Sequence, residues 1–222
     1  MTPNQITAVR VAAAFAAVAI FTFWSTSPIA DLAAVALTIA AIALDALDGY
    51  LARTRNLATP LGAQLDILGD RVVENLLFTF FAVAGLVSLW VPVVFFARGT
   101  LTDFLRSLAA RSGRAGFGPS GMHASWWGRA LVASRSSRAA YASLKCLCFC
   151  LLGLLVSFEH APREWLVEPA RAILATCAQI LVSVTVAFCI LRALPVLWDG
   201  RRYLSGPTAN RSATVAVVGP TR

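Results

Sequence analysis

Two acid-rich segments divide the apolar sequence: DALDGYLAR occupies residues 45–53, and GAQLDILGD occupies residues 62–70. Residues 32–44 before them and residues 75–97 after them carry no charge, and such apolar runs favour helices in a membrane. Only eight residues connect the two segments, so the helices that carry them are expected to be antiparallel neighbours. We therefore predict a helical hairpin with its acidic groups at one end.

The composition excludes an ordinary soluble domain. Hydrophobic residues make up 58% of the 222 residues, charged residues make up only 14%, and the mean hydropathy is +0.72. The 19 Lys and Arg residues exceed the 11 Asp and Glu residues, which gives a formal charge of +8. In a membrane protein this excess favours anionic lipids and phosphorylated substrates. We expect the lipid bilayer as a partner, and no nucleic acid.

Six stretches are long enough to be helices in a bilayer, and two of them carry the acidic segments. The turns at residues 25–31 and around Trp90 hold no Lys or Arg, whereas most basic residues fall in the alternate connections. We predict an all-α, polytopic protein of the cytoplasmic membrane, with six transmembrane helices and with both termini and the acidic site facing the cytoplasm. Residues 1–198 would form one membrane domain, and residues 199–222 a polar, loosely ordered tail. The six helices are expected at 11–30, from Asp31, from Gly62, from Trp90, at 139–158 and at 172–191.

The aspartates of the two segments are spaced to share helix faces. Asp45 and Asp48 lie three residues apart, and Asp66 and Asp70 lie four apart. A carboxylate at the centre of a bilayer costs about 2.5–3.5 kcal/mol, so four of them at adjoining helix ends require water, cations or counter-charges nearby. Carboxylate oxygens suit Mg²⁺ or Mn²⁺, and zinc is disfavoured because no His or Cys is close in the sequence. We predict a divalent-metal site.

Residues beside the aspartates favour phosphoryl transfer. Gly49 permits a close approach to the backbone, and Ala52 keeps the same helix face open one turn later. Arg53 supplies a planar cation that suits phosphate. Metal-binding carboxylates, an open backbone patch and an arginine together predict a phosphoryl-transfer site.

The combined pattern resembles the signature of the CDP-alcohol phosphatidyltransferases. All eight of its positions are present, as Asp45-x2-Asp48-Gly49-x2-Ala52-Arg53-x8-Gly62-x3-Asp66-x3-Asp70. Two further segments resemble parts of these enzymes, namely Pro3-Asn4-x2-Thr7-x2-Arg10 and Arg98-x7-Arg106. Asn4 and Thr7 equally suit the capping of a helix. The region after residue 106 lacks the segments typical of particular acceptors, so the acceptor alcohol stays open.

The resemblance implies transfer of the phosphatidyl group of CDP-diacylglycerol to a polar alcohol, with release of CMP. It also implies two bound metal ions and a homodimer. The number of cytoplasmic arginines favours a phosphorylated acceptor such as glycerol-3-phosphate, and inositol phosphate or another alcohol is the alternative. By position, the resemblance assigns metal binding to Asp45, Asp48, Asp66 and Asp70, with Asp70 also acting as general base. It assigns substrate binding to Gly49, Ala52, Arg53, Gly62, Asn4, Thr7, Arg98 and Arg106, and to Arg135 or Arg138.

A divalent-cation transporter is the main alternative from another functional class. It requires acidic residues near the bilayer centre beside a broken helix, whereas these aspartates are expected near cytoplasmic helix ends. A purely structural cluster of ion pairs with Arg53 and Arg71 is a further alternative.

Other charged residues have simpler interpretations. Asp103 and Arg106, three residues apart, favour an ion pair within one helix. Lys145 is expected to extend to the cytoplasmic surface, although contact with substrate is an alternative. Glu74, one turn after Asp70, is expected to pair with Arg71 or with an arginine of the fourth helix.

Overall fold

Six long helices and one short helix make up the described part of the chain. The computed structural model describes residues 3–25, 27–54, 59–111, 126–159, 161–162 and 167–204, without the side chains of residues 3, 46–54, 60, 111, 126, 129, 133, 135 and 203. The helices are α1 (Pro3–Phe23), α2 (Pro28–Thr54), α3 (Pro60–Val83), α4 (Trp90–Arg111), α5 (Trp126–Gly128), α6 (Arg135–Glu159) and α7 (Glu168–Leu204), with a π-helical turn (Arg129–Ala133) between α5 and α6.

Four segments are long and apolar enough to cross a membrane. They lie in α1, α2, α6 and α7, at Asn4–Phe23, Pro28–Asp45, Ser136–Glu159 and Glu168–Arg202. These segments confirm the prediction of an all-helical membrane protein for the described residues. With 24 and 22 residues, α3 and α4 are also long enough to cross a bilayer of about 30 Å, but their charged residues lower their hydropathy. The six-span topology and its orientation stay predictions.

The start and end of α3 have clear local causes. Thr59 caps the N-terminus, because its hydroxyl accepts a 3.0 Å hydrogen bond from the Gly62 amide. Pro60 follows as the first helical residue, where its missing N–H costs nothing. Beyond the last turn, Gly85 has a φ of +76°, a conformation that favours glycine. The chain therefore turns sharply from α3 towards α4.

The last helix extends past the predicted end of the membrane domain. The sequence predicted a loosely ordered tail from Asp199, but α7 continues to Leu204. Asp199 is only 1% exposed, and its carboxylate pairs with Arg202 one turn later at 3.7 Å. A Cβ on Gly200 would lie 2.8 Å from a methyl group of Leu105, so α7 and α4 approach closely here. Helical pairing and packing thus accommodate the charges that indicated a tail, and residues 205–222 lie outside the described part of the chain.

Aromatic side chains join α3 to three other helices. The ring of Phe78 lies 4.4 Å from Phe95 of α4 and 4.7 Å from Phe149 of α6, measured between centroids. Phe81, on the same helix, contacts Phe21 of α1 at 6.4 Å. Buried aromatic groups at these separations contribute beyond their apolar area. The apolar C-terminal part of α3 therefore packs against α1, α4 and α6, and the acidic part precedes it on the same helix.

Candidate active site

Three of the predicted metal ligands meet at the ends of α2 and α3. Asp45, Asp66 and Asp70 each offer a carboxylate oxygen, and the three oxygens lie within 4.8 Å of one another. All three side chains are partly buried. The spacing argument therefore placed these residues together correctly. Asp48 lies on α2 one turn after Asp45, with its side chain outside the described set.

This aspartate triad, as we call Asp45, Asp66 and Asp70, fits a divalent metal ion. Oxygen donors from carboxylates are the ligands that Mg²⁺ and Mn²⁺ prefer. The cluster contains no His or Cys among the described residues. The side chains of Gly49, Ala52 and Arg53 belong to the part of α2 whose side chains are not described, so their predicted roles stay predictions.

Arg10 of α1 is the site residue that the sequence analysis missed. Its side chain is only 2% exposed, and its Nη1 contacts Asp45 and lies 3.1 Å from the Asp70 carboxylate. Its Nη2 lies 3.4 Å from the Asp66 carboxylate and donates a 3.1 Å hydrogen bond to the Asp66 carbonyl. The available signal was its place in the N-terminal pattern, three residues after Thr7.

Two glycines let α1 approach α3. A Cβ on Gly69 would lie 2.6 Å from Nη2 of Arg10 and 2.9 Å from Cγ2 of Thr7. A Cβ on Gly62 would lie 3.1 Å from Oδ1 of Asn4. The structure thus brings Asn4, Thr7 and Gly62, all predicted substrate contacts, to one seam between these helices. An apolar groove of about 450 Å³ follows the same seam.

A cavity of about 300 Å³ opens beside Asp66 and Asp70. We call it the cationic cavity, because six basic side chains border it against three acidic ones. Such an excess of positive charge attracts phosphate groups. Of the arginines predicted to bind substrate, Arg98, Arg106 and Arg138 border it, whereas the Arg135 side chain is outside the described set. The remaining charged residues are the basic Arg71, Lys145 and Arg192 and the acidic Asp66, Asp70 and Glu74.

Three of these cations are neutralised by buried or partly buried acids. Arg71 bonds to Asp103 at 2.8 Å and to Glu74 at 3.1 Å, and Arg106 also bonds to Asp103 at 2.8 Å. The expected pairs of Asp103 with Arg106 and of Glu74 with Arg71 are therefore present. Lys145 lies 3.4 Å from the Glu74 carboxylate. The prediction that Lys145 extends to the surface is wrong, because the buried Glu74 provides a counter-charge inside.

Two other cations have no acidic partner among the described residues. Nε of Arg98 is buried without a hydrogen bond, and the guanidinium lies 5.5 Å from the centroid of the Tyr141 ring. Nη1 of Arg192 donates to the Leu131 carbonyl at 2.6 Å and to the Ser137 hydroxyl at 2.5 Å, which are both neutral acceptors. No described acid therefore offsets the charge of Arg98 or Arg192, which leaves both guanidinium groups available to a bound anion.

A metal-competent aspartate triad beside a cationic cavity, at the ends of membrane helices, defines a membrane protein suited to phosphoryl transfer. The chain belongs to the CDP-alcohol phosphatidyltransferase family, which it matches over residues 1–191. The resemblance inferred from the eight-position signature is thereby confirmed. The chain is also similar to the CDP-diacylglycerol–glycerol-3-phosphate 3-phosphatidyltransferase of Rickettsia bellii (strain RML369-C), with 39% identity over 71 residues. Those residues are 32% of this chain and 38% of the relative.

Proposed function

We propose that this protein transfers the phosphatidyl group of CDP-diacylglycerol to an alcohol and releases CMP. The observation that carries the proposal is the contact between the aspartate triad and the cationic cavity, which share Asp66 and Asp70. Family membership over most of the chain supports the same chemistry and favours it over cation transport.

Asp70 is proposed to act as general base. It borders the cationic cavity and also a smaller cavity that Arg10 and Asp45 line. In the proposed step, the acceptor oxygen forms a bond to the phosphatidyl phosphorus as the bond to CMP breaks. CMP leaves with the electron pair, and the Asp70 carboxylate takes the hydroxyl proton. Divalent ions held by the aspartates would neutralise charge on the diphosphate and the leaving group.

The donor is proposed to lie along α2 and the seam between α1 and α3. Asp45, Asp48 and Asp66, together with Asp70, would hold two Mg²⁺ or Mn²⁺ ions. Substrate contacts are proposed for Asn4, Thr7, Gly49, Ala52, Arg53 and Gly62. The proximity of Asn4 to Gly62 supports this assignment. The apolar groove along the same seam suits the hydrocarbon part of a lipid.

The acceptor is proposed to carry a phosphate group, which would lie in the cationic cavity. Arg98 and Arg192 support this because their charges are not neutralised by described acids. Arg106 and Arg138 border the same space, and Arg135 is proposed to join them. The name of the Rickettsia bellii relative favours glycerol-3-phosphate as the first acceptor to test, and inositol phosphate as the second.

The wider setting is also part of the proposal. We infer six transmembrane helices, a homodimer and an active site on the cytoplasmic face of the cytoplasmic membrane. The charged residues of α3 and α4 are compatible with six spans. Arg71 and Arg106 both pair with Asp103, so these charges face a neighbouring side chain and need not contact lipid.

The test is CMP release from CDP-diacylglycerol by the purified chain with Mn²⁺ or Mg²⁺. Glycerol-3-phosphate, inositol phosphate, serine and glycerol are offered in parallel. We expect turnover with a phosphorylated acceptor, and its loss in Asp70→Asn with the elution volume and melting temperature retained. Full activity of that variant would refute the assigned base. Mn²⁺ flux in proteoliposomes without CDP-lipid, and no CMP release, would favour the transporter.

A further inference from the structure

The guanidinium of Arg10 lies among the three carboxylates that are suited to a metal ion. One nitrogen, Nη1, contacts Asp45 and Asp70, and the other, Nη2, reaches Asp66. The Arg10 side chain is 2% exposed, whereas the Asp45, Asp66 and Asp70 side chains are 39%, 46% and 48% exposed. The guanidinium therefore meets the carboxylates from the protein interior, and the carboxylates stay accessible to an incoming ion. The aspartate triad thus contains a fixed positive charge supplied by α1.

We propose that Arg10 is the resident counter-cation of the aspartate triad and competes directly with the divalent ion for it. This inference deepens the proposed function, because it concerns loading of the same site. A metal ion binds carboxylate oxygens at about 2.0–2.2 Å, whereas a guanidinium binds them at about 2.7–2.9 Å or longer. Both cations cannot approach the same oxygens closely, and they repel each other. Metal binding therefore requires the guanidinium to withdraw from part of the triad.

The surroundings of Arg10 offer it a second position. Nη2 also donates to the backbone carbonyl of Asp66 at 3.1 Å, and this bond needs no carboxylate. Gly69 leaves room for the guanidinium next to α3, since a Cβ at this position would lie 2.6 Å from Nη2. A cavity of about 90 Å³ borders Arg10, Asp45 and Asp70, with room for a displaced nitrogen. Nη1 can thus leave the triad while Nη2 keeps the carbonyl.

The charge of Arg10 has opposite effects on the aspartate triad without and with a bound metal ion. Without metal, the guanidinium offsets the mutual repulsion of three close carboxylates and keeps them together. With metal, its residual charge weakens binding, so the ion is held less tightly than the carboxylates alone would hold it. Removal of the charge should tighten metal binding, whereas a residue that only organised the ligands would have the opposite effect.

The test is a Mn²⁺ titration of the full chain in nanodiscs, without CDP-lipid, in which the EPR signal of free aqueous Mn²⁺ gives the Kd. We expect Arg10→Gln to lower the Kd at least tenfold, which is about 1.4 kcal/mol. Arg10→Lys should lower it at least threefold, because a single ammonium cannot reach all three carboxylates. Arg106→Gln is the matched control, since it removes an equal charge from the neighbouring ion pair with Asp103. Its Kd should stay within twofold of wild type.

Two outcomes of the titration would overturn the inference. An unchanged or raised Kd in Arg10→Gln would make Arg10 an organiser of the ligands, and equal tightening in Arg106→Gln would mean diffuse electrostatics without competition. Elution volume and thermal unfolding report whether each variant folds, and if Arg10→Gln does not fold, Arg10→Lys decides alone. CMP release by wild type separates the two proposals. Mn²⁺ binding without CMP release contradicts the proposed function only, and CMP release with an unchanged Kd in the variants contradicts only the role of Arg10.

Discussion

Substitution of Arg98 by Gln tests whether the cationic cavity binds a phosphate on the acceptor. A hydrogen bond to a charged group contributes about 1.5–3 kcal/mol, so loss of the guanidinium should reduce kcat/KM for a phosphorylated acceptor by roughly 10- to 150-fold. Stability should change little, because Arg98 has no acidic partner among the described residues that would be left without a counter-charge. Its contact with the buried Tyr141 ring, at 5.5 Å, contributes about 0.5–2 kcal/mol.

The assay measures CMP release at saturating CDP-diacylglycerol while glycerol-3-phosphate is varied, and then with glycerol in its place. We expect Arg98→Gln to lower kcat/KM for glycerol-3-phosphate but not for glycerol. The KM for CDP-diacylglycerol should stay unchanged. The control is Arg171→Gln, which removes a partly exposed cation at the start of α7, 3.8 Å from Glu159. An equal loss with both acceptors, or no loss with glycerol-3-phosphate, would contradict the assignment of Arg98 to the acceptor phosphate.

Three further substitutions or treatments probe the supports of the site. Gly69→Ala should lower the free energy of unfolding by about 1–3 kcal/mol and impair CMP release, because the added Cβ would lie 2.6 Å from Arg10; wild-type thermal unfolding and activity would contradict this. Glu74→Gln should lower the free energy of unfolding by about 3 kcal/mol, since the mostly buried Lys145 loses its counter-charge. Denaturant unfolding would measure this against Glu159→Gln, which alters an exposed carboxylate. EDTA should abolish CMP release and Mn²⁺ or Mg²⁺ should restore it; activity that survives exhaustive chelation would exclude a metal requirement.

The sequence predicted the helices and the meeting of three aspartates, because both follow from short-range patterns. Asp66 and Asp70 are four residues apart on one helix, and a short connection brings them to Asp45. The roles of Arg10, Lys145 and Arg192 were not predicted, because each depends on packing between distant segments. Arg192, for example, bonds to a carbonyl 61 residues earlier in the chain. From the sequence alone, an arginine or lysine near an apolar run is evidence about membrane topology. The acid or carbonyl that it contacts becomes known only from the fold.

Hydropathy had a related limit in α3 and α4. Their charges lower the average that identifies membrane spans, yet the described ion pairs of Arg71 and Arg106 both converge on Asp103, between the two helices. An average over residues cannot distinguish a charge that faces lipid from one that faces a partner. The spacing of the charges along the helix carries that information, since Asp103 and Arg106, three residues apart, lie on one face and can pair with each other. Arg106 of that face also borders the cationic cavity.

The cations that border the cationic cavity differ in whether a described acid pairs with them. Glu74 and Asp103 form ion pairs with Arg71, Arg106 and Lys145, so the charges of these three cations are already offset. A ligand that bound them would have to compete with a carboxylate already in place. The guanidinium of Arg192 has only neutral acceptors and lies 5.3 Å from the centroid of the Tyr141 ring, opposite no described acid. An incoming anion therefore gains most from Arg98 and Arg192, and specificity among phosphorylated acceptors should depend on the space between these two arginines.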